Sequence, residues 1–305
     1  MEIQRNGEGV LIKNTGEISL EELEKLREEG LRWVEVADER CTNSPKVYGY
    51  DIFKKIKQKM SEYTKNVPKV SNDDPDKEKK IFTYIYERIA KNISYDERVA
   101  GWCGLSGYDR DMAEVSIERA SNLEGLLEDR VLCAGYSEIL RNMLSEVGID
   151  ALYISGGPKT MGEAMTTNSS SHAWNQVNLD GKWYNCDITN DADFILEGLK
   201  LPHFLKSNDE FTRYKKFPCK DPSKIQESTE SISEEKQEEL IEEQRKRLLR
   251  EEKIFGVIAS GDKQKSVGQG FIAKLKSFFK DKKVGAKELH DFTMDGVNRD
   301  ERGRE

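Results

Sequence analysis

The sequence predicts an α+β fold in which a helix carrying a cysteine packs on an antiparallel sheet carrying a histidine and an aspartate. The first observation is the helical spacing of apolar residues from Ile139 to Val147, directly after Cys133. The second is a pair of alternating runs, 172–179 and 182–188, joined by Asp-Gly, a strong signal for a two-residue hairpin. A small αβ extension is predicted before this core and a charged helical tail after it.

Composition divides the chain into three predicted parts. The chain has 305 residues, of which 35% are charged, and a formal net charge of -8. We place an N-terminal αβ extension at 1–70, a central domain at 75–220 and a charged tail at 221–305. The charge argues against general nucleic-acid binding. No run approaches the roughly 20 apolar residues of a membrane span, and the N-terminus is polar, so a cytoplasmic protein is expected.

Five cysteines are present without CxxC spacing, which fits neither a disulfide framework nor a zinc ribbon. Asp191 and Asp193 are interpreted as an acidic loop rather than a metal site. The sequence therefore predicts neither a metal nor a cofactor.

The N-terminal extension is predicted as strand, helix, strand and helix. Val10 begins the first strand, and Ser19 with Glu22 three residues later forms a capping box at the start of the first helix. The second strand spans 31–36, and 41–49, with Asn, Ser, Pro and Gly, is expected to be a connector. A second helix is predicted from Asp51 to about Asn66.

The central domain begins with a predicted helix in which Ile81, Ile85 and Ile89 share one face. The glycine-rich and aromatic stretch 100–111 is expected to be a long ordered loop, a common carrier of function. Cys133 then opens the next helix, where unpaired N–H groups and the helix dipole favour thiolate over thiol. Gly135 is a poor helix former, so we expect it to let another backbone or a substrate come close.

The hairpin register brings a histidine and a carboxylate together. With a two-residue loop Leu179 pairs with Lys182, which puts Trp174 opposite Asp187. His172 and Asp187 are then diagonal neighbours on one face, within roughly 7 Å. Two side chains can close that separation to a hydrogen bond.

A cysteine at a helix N-terminus, with a histidine and an aspartate on paired strands, supplies the nucleophile, base and orienting group of thiol acyl transfer. His172 would accept the thiol proton, and Asp187 would fix the imidazole tautomer. The backbone N–H of Cys133 would help to bind the oxyanion.

Three motifs resemble the core motifs of the transglutaminase-like superfamily, in the family's order and spacing. They are Leu-Cys-Ala-Gly-Tyr-Ser at 132–137, Ser-His-Ala-Trp-Asn at 171–175 and Tyr-Asn-Cys-Asp-Ile-Thr at 184–189. The similarity extends from Lys77 to Phe217. It implies a papain-like fold with Cys133, His172 and Asp187 as catalytic triad.

The resemblance also suggests further site residues and limits. Animal transglutaminases use an upstream tryptophan at the oxyanion, for which Trp102 is the candidate here, and Trp174 is expected to be a platform or packing residue. The chain lacks the calcium-site segments and barrel domains of those enzymes and the paired CxxC of peptide glycanases. It resembles bacterial transglutaminase-like proteins of unknown substrate.

Two functions remain open from the sequence. The first is a cysteine enzyme that cleaves or transfers amide or peptide bonds through a thioester. Hydrolysis by a protease or deamidase is favoured over cross-linking, because no acceptor-lysine site is recognisable. The alternative is a non-catalytic peptide-binding module of the same fold, localised by its C-terminal arm, although a degenerate module would have no reason to hold all three triad residues.

The C-terminal arm, residues 270–284, combines an apolar helical stripe with many lysines. Such a basic amphipathic helix is typical of segments that bind an anionic membrane surface or a partner groove. Packing on the central domain is the other expectation. The stripe includes Phe271, Leu275, Phe278 and Phe279.

Overall fold

The computed structural model describes residues 4–103, 107–157 and 171–259, which contain both strands and helices. The strands are β1 (Gln4–Asn6), β2 (Gly9–Ile12), β3 (Trp33–Val36), β4 (Lys46–Gly49), β5 (Ser94–Tyr95), β6 (Arg130–Val131), β7 (Ala151–Gly156), β8 (His172–Leu179) and β9 (Lys182–Cys186). The helices are α1 (Leu20–Glu28), α2 (Tyr50–Thr64), α3 (Lys77–Asn92), α4 (Glu97–Trp102), α5 (Gly107–Ala120), α6 (Gly125–Glu128), α7 (Cys133–Ser145), α8 (Ile188–Glu197), α9 (Arg213–Lys216) and α10 (Glu234–Ala259). The fold is therefore mixed α+β, as predicted.

The N-terminal sheet has the order β1-β2-β3-β4, with β2 and β3 parallel and connected through α1. The predicted capping box is present, since the Ser19 side chain accepts from the Glu22 amide and the Glu22 carboxylate accepts from the Ser19 amide. The predicted connector 41–49 is wrong in its second half. Val47 and Tyr48 extend there as β4, because pairing with β3 outweighs the preceding turn residues.

The central sheet positions the predicted site residues. Its order is β7-β8-β9, both pairs are antiparallel, and α7 packs against β7 and β8. Leu179 lies opposite Lys182 and Val177 opposite Tyr184, which confirms the predicted hairpin register. The Asp180-Gly181 turn has positive φ at both residues, as a two-residue hairpin turn requires.

The prediction that the second hairpin strand continues to residue 188 is wrong. β9 ends at Cys186, and Asp187 caps α8 by accepting from the Asn190 amide. The β-branched Ile188 and Thr189 favoured a strand, but the aspartate cap starts a helix. The expected acidic loop around Asp191 is therefore the first turns of α8.

The predicted loop at 100–111 is also wrong. Helix α4 covers its beginning, capped by Asp96, whose side chain accepts from the Val99 amide, and α5 covers its end. The glycines suggested a loop, whereas this cap and the apolar contacts of Val99 with Ala113 and Ile117 stabilise helices.

Helix α7 is buried along most of its length, including Tyr136, Ile139 and Leu140. The close approach expected at Gly135 is confirmed: a Cβ there would overlap the carbonyl oxygen of Ala120 and lie 2.8 Å from Val131 Cβ. A glycine in the first turn thus lets α7 contact the chain that leaves α5.

Buried side chains of the extension, the central region and α10 share one large hydrophobic core, and the described chain has two further clusters. One cluster of buried side chains includes Val10 and Phe53 of the extension, Phe82 and Leu140 of the central region, and Leu240 of α10. The predicted tail helix is present as α10, and its first half is partly buried. Four of its side chains, Gln237, Leu240, Ile241 and Gln244, are buried.

The amphipathic arm at 270–284 lies outside the described residues. Within the described ranges, no helix combines the length and apolarity needed to cross a membrane.

Candidate active site

Cys133 is the first residue of α7 and is partly buried. The preceding residue, Leu132, is the N-cap, has extended backbone geometry and provides no side-chain cap. The first-turn N–H groups are therefore not consumed by a capping side chain, and they place partial positive charge beside the thiol.

His172 begins β8, and its ring is held between two aromatic side chains. The ring centroid lies 6.2 Å from Trp174 in a stacked arrangement and 5.0 Å from Phe217. Its Nε2 atom is 2.8 Å from Asp187 Oδ2, so the two residues that the register placed on one face are in hydrogen-bond contact. The Cys133 side chain also interacts with this imidazole, and together with Asp187 it raises the pKa of His172.

Asp187 is buried where β9 ends and α8 begins, with a side chain only 1% exposed. Its Oδ1 accepts from the Asn190 amide at 3.4 Å, and its Oδ2 accepts from Asn190 Nδ2 at 2.7 Å. Arg213 Nε lies 2.8 Å from Oδ2, but its N–H does not point at an acceptor. The contact with Arg213 is therefore one of charge more than of directed hydrogen bonding.

These contacts shift both titrating groups toward their charged forms. Burial opposes charge on His172, but the hydrogen bond to Asp187 and the interaction with Cys133 outweigh it and raise the pKa of the imidazole to about 9. Burial likewise opposes charge on Asp187, yet the hydrogen bond from His172 and the charges of His172, Arg213 and His203 lower the pKa of the carboxyl group. The imidazolium–carboxylate pair is thus the stable form at neutral pH.

A second histidine–aspartate pair, His203 and the buried Asp191, adjoins Asp187. Asp191 accepts from the Tyr86 hydroxyl at 2.9 Å and from the His203 backbone amide at 3.1 Å, and its Oδ1 is 3.2 Å from His203 Nδ1. The His203 carbonyl in turn accepts from the Asp187 amide at 3.3 Å. Sequence reasoning assigned His203 nothing, although Asp187 and Asp191 are one helical turn apart, a spacing that an α8 prediction would have revealed.

A cleft of about 530 Å³ opens beside His172. Its wall includes polar groups of the site, Asn190 and Arg213, and apolar side chains, Tyr95, Leu196 and Phe217. Leu196 is 46% exposed, unusual for a large apolar side chain in the described chain. A cleft with an apolar wall next to a charged pair has the composition of a small-ligand or peptide site.

The two candidate tryptophans differ in placement. Trp174 is fully buried under His172, with its ring edge-on to Tyr214 at 5.4 Å, so it supports the imidazole and offers no surface to a substrate. Trp102 ends α4, is partly exposed, and carries the Arg98 guanidinium 5.0 Å above its ring. It packs on a cluster that contains Leu132, the neighbour of Cys133.

Among the described residues, no group of three or more histidine, cysteine, aspartate or glutamate side chains could hold a metal ion.

Two solved structures are similar to parts of this chain. One, described as "a Putative Cysteine Protease from Cytophaga hutchinsonii", is 14% identical over 44% of this chain and 37% of its own, with a TM-score of 0.28. Another, described as "a TGase", is 14% identical over 56% of this chain and 48% of its own, also with a TM-score of 0.28. This chain thus spans less than half the length of either.

No curated protein matches the sequence. The family model of the transglutaminase-like superfamily matches residues 61–188, which include Cys133, His172 and Asp187. The resemblance predicted from the three motifs is confirmed over residues 61–188, the part of the chain that is similar to the transglutaminase-like superfamily.

Proposed function

We propose that this chain is a cysteine-dependent acyl-transfer enzyme that acts on amide or peptide bonds through a thioester. Cys133 is the nucleophile, His172 the general acid and base, and Asp187 the orienting carboxylate, in a papain-like arrangement within 75–220. The observation that carries the proposal is the His172 ring, whose Nε2 lies 2.8 Å from Asp187 Oδ2 and whose pKa is raised by interactions with both Asp187 and Cys133.

In the first half-reaction, the Cys133 thiolate attacks the carbonyl carbon of the substrate amide, and the carbonyl π electrons move to oxygen. The Cys133 backbone N–H at the start of α7 stabilises that oxyanion. The His172 imidazolium then donates its proton to the leaving nitrogen as the C–N bond breaks. The products are a thioester on Cys133, a free amine or ammonia, and a neutral imidazole.

In the second half-reaction, neutral His172 removes a proton from the acceptor as its oxygen or nitrogen attacks the thioester. The C–S bond breaks, and the thiolate and imidazolium are restored together. With water as acceptor the enzyme is a protease or deamidase, and with an amine it is a cross-linking transferase. We favour water, because the sequence offers no recognisable acceptor-lysine site.

The surroundings of the other thiols support Cys133 as the reactive one. Burial raises the pKa of the Cys41 thiol to about 11 and that of the Cys186 thiol well above its usual value. Burial also raises the pKa of the Cys219 thiol. Those three are held as thiols, whereas Cys133 is partly exposed at a helix N-terminus beside an imidazole.

Iodoacetamide alkylation followed at each cysteine across pH tests the proposal. We expect Cys133 to react fastest near neutral pH and His172→Ala to remove that advantage. Cys103 is the exposed reference thiol within the described chain, and Cys103→Ser should leave the Cys133 profile unchanged. Equal rates at all five cysteines, or an unaltered Cys133 profile in His172→Ala, would reject the triad and favour the non-catalytic peptide-binding alternative.

The acyl acceptor is tested separately with glutamine-containing peptides and a small primary amine. Mass spectrometry distinguishes the free acid, formed with water, from the substituted amide, formed with the amine. Cys133→Ser should abolish both products. Formation of the amide alone would reject the preference for hydrolysis and leave the thioester mechanism intact.

The remaining assignments are proposals from the sequence. We propose that the protein is cytoplasmic and that the arm at 270–284 binds an anionic membrane surface or a protein partner through Phe271, Leu275, Phe278 and Phe279.

A further inference from the structure

The buried carboxylate of Asp187 and a thiolate on Cys133 carry two negative charges, and His172 supplies only one positive charge. The Asp187 side chain is 1% exposed, and an ionised carboxylate removed from water is stable only with compensating charge and hydrogen bonds. If His172 were the sole counter-ion, its one positive charge would be shared between the Asp187 carboxylate and a thiolate on Cys133. The imidazolium would then stabilise the thiolate less.

Arg213 supplies a second cation at the same oxygen. Its Nε is 2.8 Å from Asp187 Oδ2, and its side chain is 12% exposed. The Arg213 side chain also lines the cleft beside His172. The N–H direction is poor, so the interaction depends on charge and proximity.

Counting charges shows what this arrangement changes. With Arg213 present, the thiolate, imidazolium, Asp187 carboxylate and guanidinium sum to zero. Without Arg213, the neutral combination is an imidazolium, a carboxylate and an uncharged thiol, and forming the thiolate leaves one uncompensated negative charge in a buried site. The second cation therefore favours the nucleophilic form.

We propose that Arg213 is a positioning residue that neutralises Asp187 and so leaves the His172 imidazolium available to stabilise the Cys133 thiolate. The inference rests on the function proposed above. Arg213 does not need to touch the reacting atoms, because it acts through the carboxylate that it contacts.

The other groups facing Asp187 do not replace this charge. Asn190 contributes two neutral donors, and the Asp191 carboxylate and its partner His203 together add no net positive charge. The Tyr86 hydroxyl and the Cys186 thiol are buried, and burial raises the pKa of each, which keeps both neutral. Among the described residues, Arg213 is thus the cation beyond His172 that contacts Asp187.

The test is the Cys133 alkylation rate against pH in Arg213→Gln, Arg213→Lys and Lys215→Gln. Arg213→Gln should move the profile upward by about one pH unit, which is about a tenfold lower rate below the midpoint. Arg213→Lys keeps the charge and should stay within about threefold of wild type, since the contact does not use a guanidinium fork. Lys215 is an exposed cation on the same short helix, so Lys215→Gln should leave the rate unchanged within about twofold.

The outcomes separate this inference from the proposed function. A wild-type Cys133 that is no more reactive than Cys103 and does not respond to His172→Ala would reject the function itself. An enhanced wild-type rate that Arg213→Gln leaves unchanged would overturn only the role of Arg213. If Arg213→Gln fails to fold, Arg213→Lys provides the test. A folded lysine variant whose Cys133 alkylation profile moves upward by about one pH unit or more would also overturn the proposed role of Arg213.

Discussion

Asp187→Asn provides a direct measure of what the buried carboxylate does to His172. The substitution keeps the side-chain shape and an oxygen that can still accept from the Asn190 amide at the start of α8. It removes a negative charge 2.8 Å from His172 Nε2. The backbone should therefore survive while the electrostatics of the imidazole change.

The expected change in the pKa of His172 follows from how far the wild-type protein raises it. The difference between about 9 and the ordinary value of 6.5 corresponds to about 3 kcal/mol in favour of the imidazolium, at about 1.4 kcal/mol for each pH unit. Asp187 and Cys133 share that effect, and burial opposes it. Once Asp187 is uncharged, we expect the pKa of His172 to fall by about 1 to 3 units.

The same pair makes unfolding depend on pH in a defined direction. His172 has a raised folded-state pKa, so its stabilisation is complete below about 6.5 and is lost as pH rises through about 9. Asp187 has a lowered folded-state pKa, so its stabilisation is present above its ordinary value of 3.8 and is lost as pH falls through the lowered one. The stability advantage of wild type over Asp187→Asn should therefore be largest between about pH 3.8 and 6.5, decline as pH rises from about 6.5 to 9, and stay small above that.

NMR titration of the histidine rings measures the pKa directly, since the chain has 3 histidines and His172→Ala identifies the relevant signal. Glu197→Gln is the matched control, because it removes an exposed carboxylate from the same helix. The reasoning would be refuted by a wild-type His172 that titrates near its ordinary value. It would equally be refuted by an Asp187→Asn protein whose His172 still titrates near 9.

Three further outcomes are expected. Gly135→Ala should lower the melting temperature, because overlap with the Ala120 carbonyl costs about 1–3 kcal/mol and exceeds the gain of about 1 kcal/mol in helix propensity; an unchanged melting temperature in a thermal scan would contradict the close approach. Asp191→Asn weakens the acceptor of the Tyr86 hydroxyl, and because burial raises the pKa of Asp191, the stability advantage of wild type should narrow as pH rises above about 4. Urea unfolding at several pH values measures this, and an advantage that widened instead would show the wrong sign. For the arm, binding to anionic vesicles should weaken with salt and disappear in Phe278→Glu, since each nearby lysine adds about 1 kcal/mol of attraction; absence of pelleting at low salt would exclude a membrane role.

Local patterns predicted the parts of the site that depend on short-range geometry. A two-residue turn fixes the register of β8 and β9, so the shared face of His172 and Asp187 follows from the spacing of residues along the chain. Helical periodicity placed Cys133 at the start of α7 for the same reason. Gly135 was informative because a glycine in a first helical turn is costly unless the missing side chain makes room for something.

The sequence was less informative where contacts come from distant segments. Arg213 and His203 reach the site from the segment after α8, and no period or spacing links them to a hairpin that precedes them. The start of α8 was not predicted, because the β-branched side chains of Ile188 and Thr189 favour a strand. The deciding residue is Asp187, which caps the helix and which the sequence motifs associate with catalysis. The structure shows Asp187 as the cap of α8, while its catalytic role is a proposal.

The site lies where several elements begin or end, and this explains how its charges can be buried together. Cys133 starts α7, His172 starts β8, and Asp187 joins β9 to α8. Each therefore lies near backbone N–H or C=O groups that have no hydrogen-bond partner within their own helix or strand. The segment after α9 closes the same edge: the Gly157 amide donates to the Pro218 carbonyl at 3.0 Å, which sets Phe217 against the His172 ring. Aromatic side chains shield the charged pair from bulk water, and backbone groups at the ends of helices and strands interact with its charges. Such a pair can stay ionised, which is the condition that a thiolate–imidazolium nucleophile needs.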